Sequence, residues 1–140
     1  MQITDPKNLI IVAAIALIDA SDQVLIAKRP KKKHLAGLWE FPGGKVEKNE
    51  SPENALVREI KEELNININN KCIAPLTFSE FKYEEFNLLL LLYICRRWDG
   101  TPISMENNPI KWVKANKLRE HNMPPADDSL IYSLQDLLLN

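Results

Sequence analysis

Apolar positions follow two periods along this chain. Leu9 to Ile18 is an uncharged run of Leu, Ile, Val and Ala, the pattern of a strand buried on both faces of a sheet. The polar turn Asp19-Ala-Ser-Asp22 follows, and Val24 to Ala27 resumes the apolar strand pattern. The period then changes. Leu56, Val57, Ile60 and Leu64 fall within about 100° of arc on a helical wheel. Ser51-Pro52-Glu53 marks the start of that helix, with Ser as N-cap, Pro at the first helical position and Glu in the first turn. The pattern predicts a helix to about Leu64 and an Asn-rich connection from Asn65 to Asn70. Cys72 to Phe86 reads as an irregular strand and Leu88 to Arg97 as a fully buried one. Trp98-Asp-Gly-Thr-Pro102 reads as a turn, Lys111-Trp-Val113 as a short strand and Ala115 to Glu120 as a short helix. A terminal helix is expected from Ser129, with Leu130, Ile131, Leu134, Leu137 and Leu138 at helical spacing. No repeat, linker or low-complexity segment divides the chain. Strands, helix, strands, helix predicts one α+β domain over 1–140, a sheet packed between helices.

Composition narrows the function without naming it. Hydrophobic residues are 45% and charged residues 26% of the 140, and the formal net charge is -1. A duplex-binding domain usually carries a basic excess, so a small-molecule partner is favoured over stably bound nucleic acid. Cys72 and Cys95 lack CxxC spacing and read as two small buried hydrophobes. The run from Leu9 to Ile18 is too short to span a bilayer, and no secretory pattern precedes it. A cytoplasmic protein acting as a monomer, away from membranes, is expected.

Local concentrations of unusual residues mark the candidate chemistry. Three of the four glycines, Gly37, Gly43 and Gly44, fall within eight positions, where close backbone approach is expected. Just upstream, Lys28 to Lys33 holds five cations in six residues. On the predicted helix, Glu59, Glu62 and Glu63 stand at i, i+3 and i+4, on one face. Like charges at that spacing cost a few tenths of a kcal/mol per pair unless compensated. A divalent cation with a preference for oxygen ligands compensates them; so, more simply, would solvent with Arg58 and Lys61 as partners. The glycine-rich loop upstream, and Glu50 just before the helix cap, favour a metal–diphosphate site. His34 and His121 have no partners at metal-ligand spacing and read as surface residues.

The segment Gly44-KVEKN-Glu50-SPENALV-Arg58-Glu59-Ile60-Lys61-Glu62-Glu63-Leu64-Asn65-Ile66 resembles the Nudix box. That motif has a glycine, a glutamate six positions on, then Arg-Glu-apolar-x-Glu-Glu-x-Gly-apolar. One position departs, Asn65 in place of glycine. It falls at the end of the helix, where a left-handed residue is common and Asn is the usual second choice. Trp39-Glu-Phe-Pro-Gly-Gly44, Arg97-Trp-Asp-Gly100 and Pro124-Pro-Ala-Asp127 are similar to segments of the MutT type within this family. The resemblance implies an α/β/α sandwich with a mixed sheet. It also implies cleavage of nucleoside diphosphates linked to a further group, and for the MutT type hydrolysis of 8-oxo-dGTP to the monophosphate and pyrophosphate. Such an activity sanitises the nucleotide pool and prevents mutation in DNA replication. Mg²⁺ is the implied cofactor, with Mn²⁺ as a substitute.

By the same resemblance Glu59, Glu62 and Glu63 are metal ligands, and the carbonyl of Gly43 or Gly44 adds another. Arg58 is expected to orient a box glutamate, such as Glu50, through paired hydrogen bonds. Glu59 and Glu106 are both candidates for the base that activates water, and Glu106 is also a candidate ligand. Arg29 occupies the place of a basic residue near substrate phosphates. Glu40, Phe41, Gly43 and Gly44 border the substrate. Asp127 is the candidate for reading the base; the simpler alternative is that it caps the terminal helix. An ionised Asp accepts only. It would take the N7 proton of 8-oxoguanine while repelling O6, or take the N1 and N2 protons that both forms of guanine share. Two rivals stand beside the MutT reading. The box alone does not distinguish ordinary nucleotides, ADP-ribose, dinucleoside polyphosphates or NADH, although no SQPWPFP-like array of NADH-cleaving members is present. A non-catalytic binding module is disfavoured by the intact set of box acids.

Overall fold

The computed structural model describes residues 8–30 and 36–138; Lys31 to Lys33 and His34 lie outside them. Strand β1 (Leu9–Leu17) is central. It pairs antiparallel with β4 (Gly43–Lys45) through Val12–Lys45, Ala13–Gly44 and Ala14–Gly43. On its other side it pairs parallel with β6 (Asn87–Cys95), from Leu9–Asn87 to Leu17–Cys95. Strand β5 (Ile73–Lys82) closes this four-stranded mixed sheet, antiparallel to β6, with a bulge between Pro75 and Thr77. A second, antiparallel sheet has the order β3 (Trp39–Glu40), β2 (Gln23–Lys28), β7 (Ile110–Lys114).

Successive side chains of a strand point to opposite faces, and β1 feeds both cores. Ala13, Ile15 and Leu17 enter a cluster with Leu56, Ile60 and Leu64 of helix α1 (Pro52–Leu64). Ala14 and Ala16 enter another with Leu130, Ile131 and Leu134 of helix α2 (Asp128–Leu138). The sandwich of helix, sheet and helix follows from this alternation, because neither face of β1 is left to solvent. Strand β6 is less deeply covered than the unbroken apolar run predicts. Leu90, Leu92, Tyr93 and Cys95 are buried, whereas Leu88, Leu89, Leu91 and Ile94 are half-buried. Cys72 also departs from expectation. It is exposed, in a single 3₁₀ turn (Asn70–Cys72) whose Lys71 amide donates to the Asn69 side chain, and not in a strand. Cys95 is buried as expected, its thiol donating to the Arg97 carbonyl. The short helix expected at 115–120 is present as a 3₁₀ helix (Ala115–Glu120), and a further 3₁₀ turn (Pro125–Asp127) runs into α2, which begins one residue before the expected start. No helix among the described residues is long and apolar enough to cross a membrane.

Helix α1 has the ends its sequence specifies. The Ser51 hydroxyl accepts from the Asn54 amide at 3.1 Å. Asn65 is left-handed, φ 55° and ψ 36°, and its amide donates to the Lys61 carbonyl. The backbone there suits Gly at least as well as Asn. Asn65→Gly should leave turnover nearly unchanged and shift stability by less than about 1 kcal/mol, read by thermal melting and initial rates. A tenfold gain in activity would show that Asn65 impairs the site.

Candidate active site

Arg58 organises the loop that leads into α1. Its guanidinium donates twice to Glu50, at 3.0 and 2.9 Å, once to Glu59 at 2.6 Å and once to the Lys45 carbonyl at 3.3 Å. Glu50 also accepts from the Glu47 amide. The paired bonds from Arg58, and then that amide, hold the Glu50 carboxyl down at about 2, and the two carboxylates raise Arg58 further above its ordinary value. The expected partner of Arg58 is therefore Glu50. Glu50 stays ionised and occupied, which suits it to fixing Arg58.

Glu59 lies against the glycine pair. A Cβ placed on Gly44 would stand 2.4 Å from the Glu59 carboxyl carbon. A Cβ on Gly43 would stand 2.0 Å from the Ala13 carbonyl oxygen. The two glycines thus serve different ends: Gly43 lets β4 lie close on β1, and Gly44 admits a carboxylate. On α1, Glu62 is exposed and Glu63 half-buried.

Glu106 is distant in sequence but its loop is bound to this helix. The amides of Ile103 and Met105 donate to the carbonyls of Leu64 and Glu63 at 3.0 and 2.9 Å. These are among the carbonyls a helix C-terminus leaves without internal partners. Ser104 and Asn108 bond each other, and the Asn108 amide nitrogen donates to the Lys28 carbonyl. The loop therefore bridges the acidic end of α1 and the end of β2, where Arg29 begins. Among the described residues no three acidic, His or Cys side chains stand close enough to form a metal cage; Glu59 turns to Arg58, and Glu62 and Glu106 extend into solvent.

A second group gathers around Asp127. Arg29 is paired with Glu40 at 2.5 Å. The Trp39 amide donates to the Asn122 carbonyl, and the Trp39 ring meets the edge of the half-buried His121, so the strand carrying Glu40 is tied to the segment before Asp127. Asp127 is 4% exposed, and its Oδ2 is buried with no hydrogen-bond partner among the described residues. An N-capping carboxylate accepts from amides of the first turn; this oxygen accepts from none. Burial first, and the facing Glu40 carboxylate second, push the Asp127 carboxyl up to about 8, against the opposing pull of Arg29. At neutral pH it is largely the protonated acid, where the sequence reading took it as ionised. The fold supplies both causes.

Tyr83 was not foreseen. Its hydroxyl is raised by burial and by the nearby Asp127, with Arg29 opposing, and its ring packs between Phe81 and Phe86 at 4.8 and 5.0 Å. The aromatic density of Phe81-Lys-Tyr-Glu-Glu-Phe86 at one turn was the available signal. Phe41, a candidate substrate contact, is 4% exposed in the core on the α2 side, so its ring is packed away from solvent.

A sandwich with this loop–helix arrangement is a Nudix fold, and the chain belongs to the Nudix family: the NUDIX domain family model matches residues 13–133. The 8-oxo-dGTP diphosphatase of Escherichia coli K12 is 32% identical over 130 residues, covering 89% of this chain and 95% of that protein. The CTP pyrophosphohydrolase of the same organism is 33% identical over 133 residues, with 94% of each covered. Among solved structures, one from work on MutT of Aliivibrio salmonicida and Vibrio cholerae superimposes with a TM-score of 0.78 at 31% identity, covering 92% of this chain and 98% of that one.

Proposed function

We propose that this chain hydrolyses nucleoside triphosphates to the monophosphate and pyrophosphate, with 8-oxo-dGTP as its preferred substrate. The observation that carries the reading is the Glu59 carboxylate seated on Gly44 and gripped by Arg58. It places a fixed acid beside backbone that phosphate can approach. The donor set is all oxygen, which fits Mg²⁺, or Mn²⁺ in its place. Glu59, Glu62, Glu63 and Glu106, with the carbonyls of Gly43 and Gly44, would hold it. When bound, such an ion makes coordinated water more acidic and neutralises charge on the leaving pyrophosphate.

The protein's own groups do the rest. Arg58 fixes Glu59, and Glu50 fixes Arg58. Arg29, held by Glu40, faces the phosphates. Glu59 or Glu106 takes the proton of the attacking water. Asp127 meets the base; its buried oxygen, without a partner among the described residues, supports that role. The relatives named 8-oxo-dGTP diphosphatase support the preferred substrate. The relative named CTP pyrophosphohydrolase supports a second reading, in which a pyrimidine triphosphate is preferred.

A panel of 8-oxo-dGTP, dGTP, CTP, dCTP, ADP-ribose and a dinucleoside polyphosphate, each with Mg²⁺, decides between them. The highest kcat/KM should fall to 8-oxo-dGTP, with pyrophosphate as the released product. Preference for a non-triphosphate, or release of orthophosphate, would overturn the reading.

A further inference from the structure

We propose that Asp127 reads the base as a neutral carboxylic acid, one oxygen donating a hydrogen bond and the other accepting one. The site then selects base edges on which a donor and an acceptor lie side by side. This rests on the reading of Asp127 as the base contact. The geometry comes first. Asp127 lies at the end of a 3₁₀ turn whose backbone is fixed by Pro124 and Pro125 and by the hydrogen bond its own N–H donates to the Pro124 carbonyl. Its side chain is buried, with Oδ2 unpartnered among the described residues. The charged and titratable groups that act on it are Glu40, Arg29 and Tyr83. Arg29 is bound to Glu40, so its charge is shared with a second carboxylate. An ionised carboxylate buried beside another anion, with an oxygen left bare, is costly; the neutral acid is far less so. The shift of Asp127 to about 8 agrees with that geometry.

The base chemistry then follows. Guanine presents N7 and O6 on its major-groove edge, both acceptors. Oxidation at C8 moves a proton to N7, so 8-oxoguanine presents a donor beside the O6 acceptor. A carboxylic acid matches that pair, its O–H to O6 and its C=O from N7–H. Ordinary guanine presented by the same N7 edge sets a second acceptor against that C=O; its O6 and N1–H pair on the other edge would match a carboxylic acid too, so the selection holds for a base turned with its N7 edge to Asp127. Adenine offers a donor next to an acceptor, as cytosine does through N4 and N3, so the same acid tolerates a cytosine nucleotide. An ionised Asp127 behaves otherwise. It would bind best to the N1 and N2 protons, which oxidised and ordinary guanine share. The discrimination between them therefore belongs to the protonated form. It should be present at low pH and fade as the pH rises through the folded value of Asp127.

The test is the ratio of kcat/KM for 8-oxo-dGTP over dGTP from about pH 6 to about pH 9, in the full chain with Mg²⁺. Wild type, Asp127→Asn and Asp127→Ala are compared. The ratio cancels steps common to both substrates, and ionisation of the bases themselves affects all three proteins alike. The wild-type ratio should fall tenfold or more over that range relative to Asp127→Asn, whose amide donates and accepts at every pH. Asp127→Ala should show a low ratio throughout. If wild type and Asp127→Asn run parallel, the neutral-acid proposal is wrong while Asp127 remains the base contact. If Asp127→Ala keeps the wild-type ratio, Asp127 does not read the base at all. An infrared measurement needs no turnover. At pH 7 wild type should show a carboxylic-acid carbonyl band that Asp127→Asn lacks, and absence of that band would equally overturn the proposal.

Discussion

Glu62→Gln should lower kcat by at least about a hundredfold and leave the fold intact. A hundredfold corresponds to about 2.7 kcal/mol of transition-state stabilisation, the scale of one electrostatic group aimed at developing charge. Glu62 is exposed on α1, so Gln, equal in size, disturbs no packing. Its charge lies three residues from Glu59 and next to Glu63 on the same acidic face. Removing it relieves repulsion worth a few tenths of a kcal/mol, and thermal stability should hold or rise slightly. Loss of activity with retained stability is what separates a ligand from a solvated surface acid. The same assay in EDTA should abolish turnover. It should also show a raised Mg²⁺ requirement in the Gln variant. Undiminished turnover in that variant, or full activity in EDTA, would remove the metal assignment.

What was legible in the sequence was what local chemistry decides. The ends of α1 are set by Ser51 and Asn65, each acting on backbone within four residues, so they could be placed without tertiary knowledge. The two-faced burial of β1 was legible because its run holds no polar residue. The pairing of Arg58 with Glu50 spans eight residues and is implied by the motif. What was hidden depends on distant segments. The loop that carries Glu106 lies against α1 only because Ile103 and Met105 bond the helix's last turn. The protonation of Asp127 depends on burial and on Glu40, eighty-seven positions earlier in the chain. Tyr83 joins that group through the β5–β6 turn. Cys72 looked like a strand residue because apolar residues follow it, and Asn69 holds it in a turn.

The glycine pair gives the sharpest contrast between neighbouring positions. Gly43→Ala should prevent or severely weaken folding, because the new Cβ would meet the Ala13 carbonyl oxygen at 2.0 Å and the Ala14 Cα at 2.8 Å. Both are backbone atoms of the central strand, so relief requires β4 to part from β1. Gly44→Ala should fold. Its backbone lies outside the left-handed region that favours glycine, and the new Cβ would meet only the carboxyl end of Glu59, at 2.4 to 2.7 Å. That end can swing away at little cost in stability, and in doing so it leaves Arg58 and the site. The expected result is a melting temperature within a few degrees of wild type and kcat reduced by about a hundredfold or more, since a displaced reactive group costs on that scale. A double-mutant cycle shows whether Glu59 carries the effect. Adding Gly44→Ala to Glu59→Gln should cost little further, because the group it displaces has already lost its charge. If the two losses multiply instead, Gly44 acts on substrate directly, and its contact with Glu59 is incidental to catalysis.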